Sequence, residues 1–171
     1  RLLVVSVACG FSSLVFAISY VVSPLTGLMQ QPNSQYYHLA YGASVNVINK
    51  NRQHALTAVY FERPEFSAEG FDEQETLAHI QWQIFASRTK YGDLMAGVGF
   101  GKVSGYVSNS TGRSSYSMNA LVTSAEIVKR WKSFELAAGH TIYVGGKSEE
   151  ELNSYVAWPF LTLQLRMGFV I

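Results

Sequence analysis

Residues 161–171 alternate. Leu161, Leu163, Leu165, Met167, Phe169 and Ile171 share one parity, while Thr162, Gln164, Arg166 and Gly168 lie on the other. Successive side chains of a strand point to opposite faces, so this segment has one greasy face and one polar face. A soluble sandwich can contain a strand of this kind. A membrane β-barrel repeats it in every strand, because lipid lies outside and a polar lumen inside. Recurrence along the chain therefore decides the fold class.

The pattern recurs. In 36–48, Tyr37, Leu39, Tyr41, Val45 and Val47 alternate with His38, Ala40, Gly42, Ser44 and Asn46. In 76–86, Ile80, Trp82 and Ile84 oppose His79, Gln81 and Gln83. In 94–100, Leu94, Ala96, Val98 and Phe100 oppose Gly97 and Gly99. In 134–144, Phe134, Leu136, Ala138, Ile142 and Val144 oppose Glu135, Ala137, Gly139, Thr141 and Tyr143. Residues 13–22 fit with Leu14, Phe16, Ile18, Tyr20 and Val22 on one side. Two segments are weaker: 52–62, and 116–128, where Tyr116, Met118 and Val122 oppose Ser117, Asn119 and Thr123. On that assignment Ser124 shares the outward face. Together these make eight candidate strands, and a bacterial single-chain membrane barrel needs an even number. The expected fold is all-β, an eight-stranded antiparallel transmembrane β-barrel of the outer-membrane type.

Composition agrees. Hydrophobic residues make up 48% of the chain and charged residues only 15%, below the roughly 25% usual in soluble domains. A net charge of +1 gives no concentrated basic face for nucleic acid. The single cysteine, Cys9, excludes an intrachain disulfide and a cysteine-based metal site. The histidines at 38, 54, 79 and 140 have no metal-ligand spacing. No metal or other cofactor is expected.

The first residues admit more than one reading. Residues 1–11 read as an N-terminal extension or signal-peptide remnant ahead of a single domain over 12–171. The uncharged run 2–22 is also long enough for a membrane-spanning helix, which would make the chain a soluble barrel tethered by that helix. The strand reading of 13–22 supplies the eighth strand.

The predicted connections alternate in length. Those at 49–51, 88–92 and 129–132 are short; those at 24–35, 64–74, 108–114 and 145–154 are long. Outer-membrane barrels have short periplasmic turns and longer external loops, which places both ends of the chain on the periplasmic side. The short turns carry Lys50, Arg52, Arg88, Lys90, Lys129, Arg130 and Lys132, and two of the long loops carry Glu65, Glu69, Asp72 and Glu73, then Glu149, Glu150 and Glu151.

Several residues invite a chemical role. Glu135 and Arg166 share the inward parity, and a simple 145–154 loop would set residue 135 opposite 164. A carboxylate–guanidinium pair there would plug the lumen. Glu149, Glu150 and Glu151 form an acidic loop that could bind a divalent cation bridging lipopolysaccharide phosphates, since hard cations prefer carboxylates. The run from Gly97 to Gly101 lacks the Gly-Lys-Ser/Thr ending of a phosphate loop and fits small residues facing a crowded lumen. His140 lies on the greasy parity, towards the external end of its strand. It reads either as an interfacial ring or as a general base meeting lipid from the side.

Met95-Ala96-Gly97-Val98-Gly99-Phe100, then Ser104-Gly105, and the strand ending at His140 resemble the outer-membrane lipid A 3-O-deacylases, the acyloxyacyl-hydrolase-like barrels. The similarity covers roughly 93–171. It implies an eight-stranded barrel with an active site on its lipid-facing wall and His140 as the catalytic base. That family's serine nucleophile stands two residues after the histidine, where this chain has Ile142. The nearest outward serine expected is Ser124, about 10 Å away at strand rise, too far for a nucleophile–base hydrogen bond. The leading expectation is therefore a non-catalytic barrel serving the bacterial outer membrane as a structural or interaction component. Its partners would be membrane lipid, lipopolysaccharide or another envelope protein. The alternative is a deacylase-like esterase acting on lipopolysaccharide.

Overall fold

A computed structural model describes residues 17–30, 37–49, 51–68, 71–145 and 160–171. They form β1 (Ala17–Gln30), β2 (Tyr37–Asn49), β3 (His54–Ala68), β4 (Phe71–Arg88), β5 (Asp93–Asn109), β6 (Gly112–Arg130), β7 (Phe134–Gly145) and β8 (Phe160–Val170). Each strand pairs antiparallel with its sequence neighbour. β1 also pairs with β8, for instance Leu28 with Leu163, and the sheet closes as a barrel. Closure is physically required. Lipid offers no partner to a backbone N–H or C=O, so a sheet edge cannot lie open in it.

The alternation maps onto the wall. Phe100 pairs with Ile80 and Leu121, and Leu121 with Val144. Lower down, Ala96 pairs with Ile84 and Ala125, Ala125 with His140, and His140 with Leu163. These side chains point outward. Phe100 is 77% exposed, Leu163 41% and Met167 51%. Among the described residues no helix is long and apolar enough to cross a membrane; the crossing elements are strands.

At one end, here the turn end, three tight connections join the strands. Asn49 builds the first: its Oδ1 accepts from the backbone N–H of Gln53 at 2.9 Å and of His54 at 3.1 Å. Arg52 adopts the left-handed region there (φ 58°). In the second, Thr89 Oγ1 donates to the Gly92 carbonyl at 2.8 Å. In the third, Trp131 N–H donates to the Phe134 carbonyl at 2.8 Å.

The opposite end departs from expectation. Residues 24–30, 64–68, 71–74, 108–109 and 112–114, expected in loops, are strand. β3 and β4 meet at Ala68 and Phe71, and β5 and β6 at Asn109 and Gly112, so neither connection is long. The length resides in the strands: β4, β5 and β6 run 18, 17 and 19 residues, against 12 and 11 for β7 and β8. Crossing a bilayer takes about 9–11 residues, so β3–β6 project beyond it.

Pro24 and Pro64, the first residues of two expected loops, lie within strands. Pro24 pairs with Ala43 of β2 and falls where the β1–β8 ladder is interrupted, between Val22 and Leu25. Proline has no N–H to give to a ladder, and this ladder is interrupted where it stands. Pro64 lies in the bulge between Arg63 and Phe66. Residues 17–22 are strand, so the run 2–22 is not one continuous helix; residues 1–16 lie outside the described residues.

Two further expectations are corrected. In β6 the apolar set faces inward: Met118, Ala120 and Val122 are buried while Asn119 and Leu121 are exposed. Ser124 consequently faces the lumen. The β6–β7 register shifts because Lys129 and Arg130 belong to β6 rather than to a turn, and the β7–β8 register differs from that of a simple 145–154 loop. His140 pairs with Ala125, and Glu135 lies opposite Gly168 rather than Gln164.

Candidate functional site

The lumen is filled in layers. Near the turn end, Val21, Ile48 and Ala55 form one apolar cluster, and Met95, Val128 and Ala137 another. Next comes a charged layer. Arg166 of β8 hydrogen-bonds Glu126 of β6, and its Nη1 lies 3.8 Å from Glu135 of β7. Arg130 closes onto the other oxygen of Glu135. Asn46 Nδ2 donates to Glu135 at 3.1 Å, and Gln83 Nε2 to Glu126 at 2.9 Å. Thr57 Oγ1 in turn donates to Gln83 at 3.0 Å. Glu135 and Arg166 are 1% and 2% exposed. Two guanidinium groups thus face two carboxylates, and the layer is balanced. Such groups remain ionised out of water only when paired and hydrogen-bonded.

Gly139 makes this layer possible. A Cβ there would meet Glu126 Cγ at 2.6 Å and the Ala125 carbonyl oxygen at 2.3 Å.

Above the charges, His79 Nδ1 shares a hydrogen bond with Tyr143 Oη at 2.8 Å. A larger apolar cluster follows, including Leu25, Met29, Phe61, Leu77, Val103 and Met118. It seals the bore. A side-chain-filled interior is what eight strands enclose.

A second polar group lies where the projecting sheet leaves the barrel. Buried Arg63 reaches Glu73 at 3.1 Å and Glu75 at 3.3 Å, and Tyr116 Oη donates to Glu75. Tyr116 covers Gly105, its cross-strand partner, where a Cβ would meet the phenol ring at 2.8 Å. Burial, then the Glu75 charge, pushes the Tyr116 phenol well above its ordinary range.

Of the residues singled out by sequence, Glu135 and Arg166 come together in the charged layer. His140 is exposed on the outer wall at mid-strand, not towards the external end. Its pairing neighbours are Ala125 and Leu163, with Ala138 and Ile142 along its own strand. Neither a serine nor a carboxylate stands among these four. Thr123 lies one diagonal away on β6, a separation of roughly 7–8 Å in antiparallel pairs. Glu149, Glu150 and Glu151 lie outside the described residues. Among the described residues there is no group of three or more metal-ligand side chains.

Glu126, Arg130 and the Arg63–Glu75–Tyr116 group were not anticipated. For Glu126 a signal existed. Placing Tyr116 and Met118 outward puts Glu126 in lipid as well, so the charge itself argued for the opposite parity. Arg63 and Glu75 fell between the predicted strands and the 64–74 loop, and Tyr116 was assigned to the apolar side of 116–128, so nothing in the pattern brought the three together.

No protein-family model matches the chain, and no curated protein matches it. Solved structures do. Ail, the attachment invasion locus protein of Yersinia pestis, is 12% identical with a TM-score of 0.59, covering 90% of this chain and 97% of its own. Neisserial surface protein A is 11% identical with a TM-score of 0.67, covering 88% and 96%. The N-terminal β-barrel domain of Pseudomonas aeruginosa OprF is 15% identical with a TM-score of 0.55, covering 88% and 97%. The fold is that of a small outer-membrane β-barrel. Ail has also been solved in complex with the heparin analogue sucrose octasulfate.

Proposed function

We propose that this protein is a non-catalytic barrel of the bacterial outer membrane that serves as an interaction component of the envelope. The carrying observation is the contrast along β4–β6. Their lower parts present Ile80, Val98, Phe100 and Leu121 to lipid, and their upper parts present Thr76, Gln74, Ser104, Ser115 and Ser117 outward. The projecting sheet is a polar surface held away from the membrane by a sealed barrel. It is suited to contact, and the filled lumen is unsuited to conduction. The turn end faces the periplasm, as short turns do in this architecture. The apolar wall is in contact with membrane lipid, including lipopolysaccharide in the outer leaflet.

The acyl-hydrolase alternative rests on His140 and on the resemblance of 93–171 to lipid A deacylases. No serine stands among the pairing neighbours of His140, so an acyl-enzyme route lacks its nucleophile. One assay separates the readings. Purified protein is incubated with lipopolysaccharide and released hydroxy fatty acid is measured. No release, from a sample that shows the heat-modifiable gel shift of a closed barrel, is the expected result. Release that disappears in His140→Ala would replace the interaction reading with the esterase one.

A further inference from the structure

We propose that the turn end of the barrel binds the phosphates of anionic phospholipid headgroups through a cationic rim set at the edge of the apolar wall. Arg52, Arg88, Lys90, Lys129 and Lys132 are exposed at this end. Each carboxylate side chain near them, among the described residues, is already paired. Asp93 pairs with Arg88 at 3.0 Å, while Glu126 and Glu135 face inward onto Arg166 and Arg130. With Arg88 so paired, Arg52, Lys90, Lys129 and Lys132 give the rim a net positive charge.

Its depth is fixed by aromatic rings. The Lys90 ammonium lies 4.8 Å from the centre of the Tyr91 ring, and that of Lys129 lies 5.6 Å from the Trp131 ring. Trp131 packs on Phe134 at 5.6 Å between ring centres, and Phe134 on Phe169 at 6.2 Å. This cluster continues directly into the apolar wall, since Lys129 pairs with Leu136 and Leu136 with Met167. Tryptophan and tyrosine rings settle at the membrane–water interface. An ammonium stacked on such a ring stands at phosphate depth while its methylene stem covers apolar surface.

The occupant follows from the layout. The cations are distributed over separate turns and converge on no single cavity, so a soluble anion gains little from them. A leaflet surrounding the barrel offers a phosphate to each. Anionic phospholipid supplies net negative charge there, whereas phosphatidylcholine offsets its phosphate with its own ammonium.

The test uses the full chain reconstituted in phosphatidylcholine vesicles carrying trace spin-labelled phosphatidylglycerol or spin-labelled phosphatidylcholine. At low salt the motionally restricted fraction of the phosphatidylglycerol label is expected to exceed that of the choline label several-fold. Molar salt should bring the two together, because exposed charges are screened over about 3 Å at that strength. The triple variant Lys90→Gln, Lys129→Gln and Lys132→Gln should abolish the preference while keeping the gel shift. Where the triple variant does not refold, Lys129→Gln alone should reduce it. Lys102→Gln with Arg113→Gln, at the other end, should leave it intact. Equal retention of both labels would overturn the proposal. So would a preference that survives the lysine variants, one lost in Lys102→Gln with Arg113→Gln, or one abolished by millimolar inorganic phosphate at constant ionic strength. Loss of the gel shift in the unmodified chain would instead count against the membrane-barrel reading itself.

Discussion

Among the described residues, β7 and β8 differ from β4, β5 and β6 in what they present to their surroundings. The first two, of 12 and 11 residues, lie within the apolar wall. The other three, of 18, 17 and 19 residues, continue past Lys102 and Asn119 into a surface of serine, threonine, glutamine and charge. Lipid sets the rule for the wall. Within it every backbone group must be paired around a closed ring, and beyond it water satisfies an open edge. The projecting sheet can therefore lose its outer neighbours. β6 pairs with β7 only from Ala120 downward, and β3 with β2 only from Glu62 downward, among the described residues. The exposed β3 margin is interrupted by Pro64 and a bulge, devices that discourage edge pairing.

The largest test of this contrast removes the charged layer from beneath the wall. Arg166→Met leaves Glu126 and Glu135 without their shared partner and should cost about 3–5 kcal/mol, read as a lower urea midpoint for unfolding from vesicles. Adding Glu126→Gln should recover part of the loss. Next in size is the wall itself. Leu163→Arg places a charge at mid-wall beside His140 and should cost about 2–4 kcal/mol.

The matching changes in the projecting sheet should be smaller. Tyr116→Phe removes a hydrogen bond to a carboxylate and should cost about 1.5–3 kcal/mol in protection of the β5–β6 hairpin by hydrogen exchange, with the barrel gel shift unchanged. The same phenol gives a pH signature. Its folded pKa is raised above the ordinary 10.0, so its contribution is complete below pH 10 and declines as the pH rises beyond it. A hairpin whose protection falls between neutral pH and 9 would break this assignment. Smallest is Ser117→Arg on the polar outer face, expected within about 0.5 kcal/mol of the parent. If Leu163→Arg and Ser117→Arg cost the same, the two regions do not lie in different solvents.

Most of the wall was legible in the chain because lipid imposes one rule on every crossing strand. The period-2 pattern placed Tyr37, Leu39, Ile80, Val98, Phe100, Leu163 and Met167 outside, and the coordinates expose each of them. The same rule failed in β6, for a definable reason. At the level of Met118 and Val122 the lumen is itself apolar, packed with Phe61, Leu77 and Val103. Alternation then no longer distinguishes inside from outside. Pro24 and Pro64 lie inside strands because the fold supplies a ladder gap and a bulge to receive them.

By itself, then, the sequence determined the strand period, the number of crossings and the parity of most side chains, because each depends on near neighbours and on solvent. The tertiary structure decided the register that sets His140 beside Ala125, and the meeting of Arg166 with both Glu126 and Glu135. It also decided how far β3–β6 stand clear of the membrane. Those outcomes depend on how far each strand slides past the next before the ring closes. Only closure, with every lumen side chain fitted at once, fixes that slide.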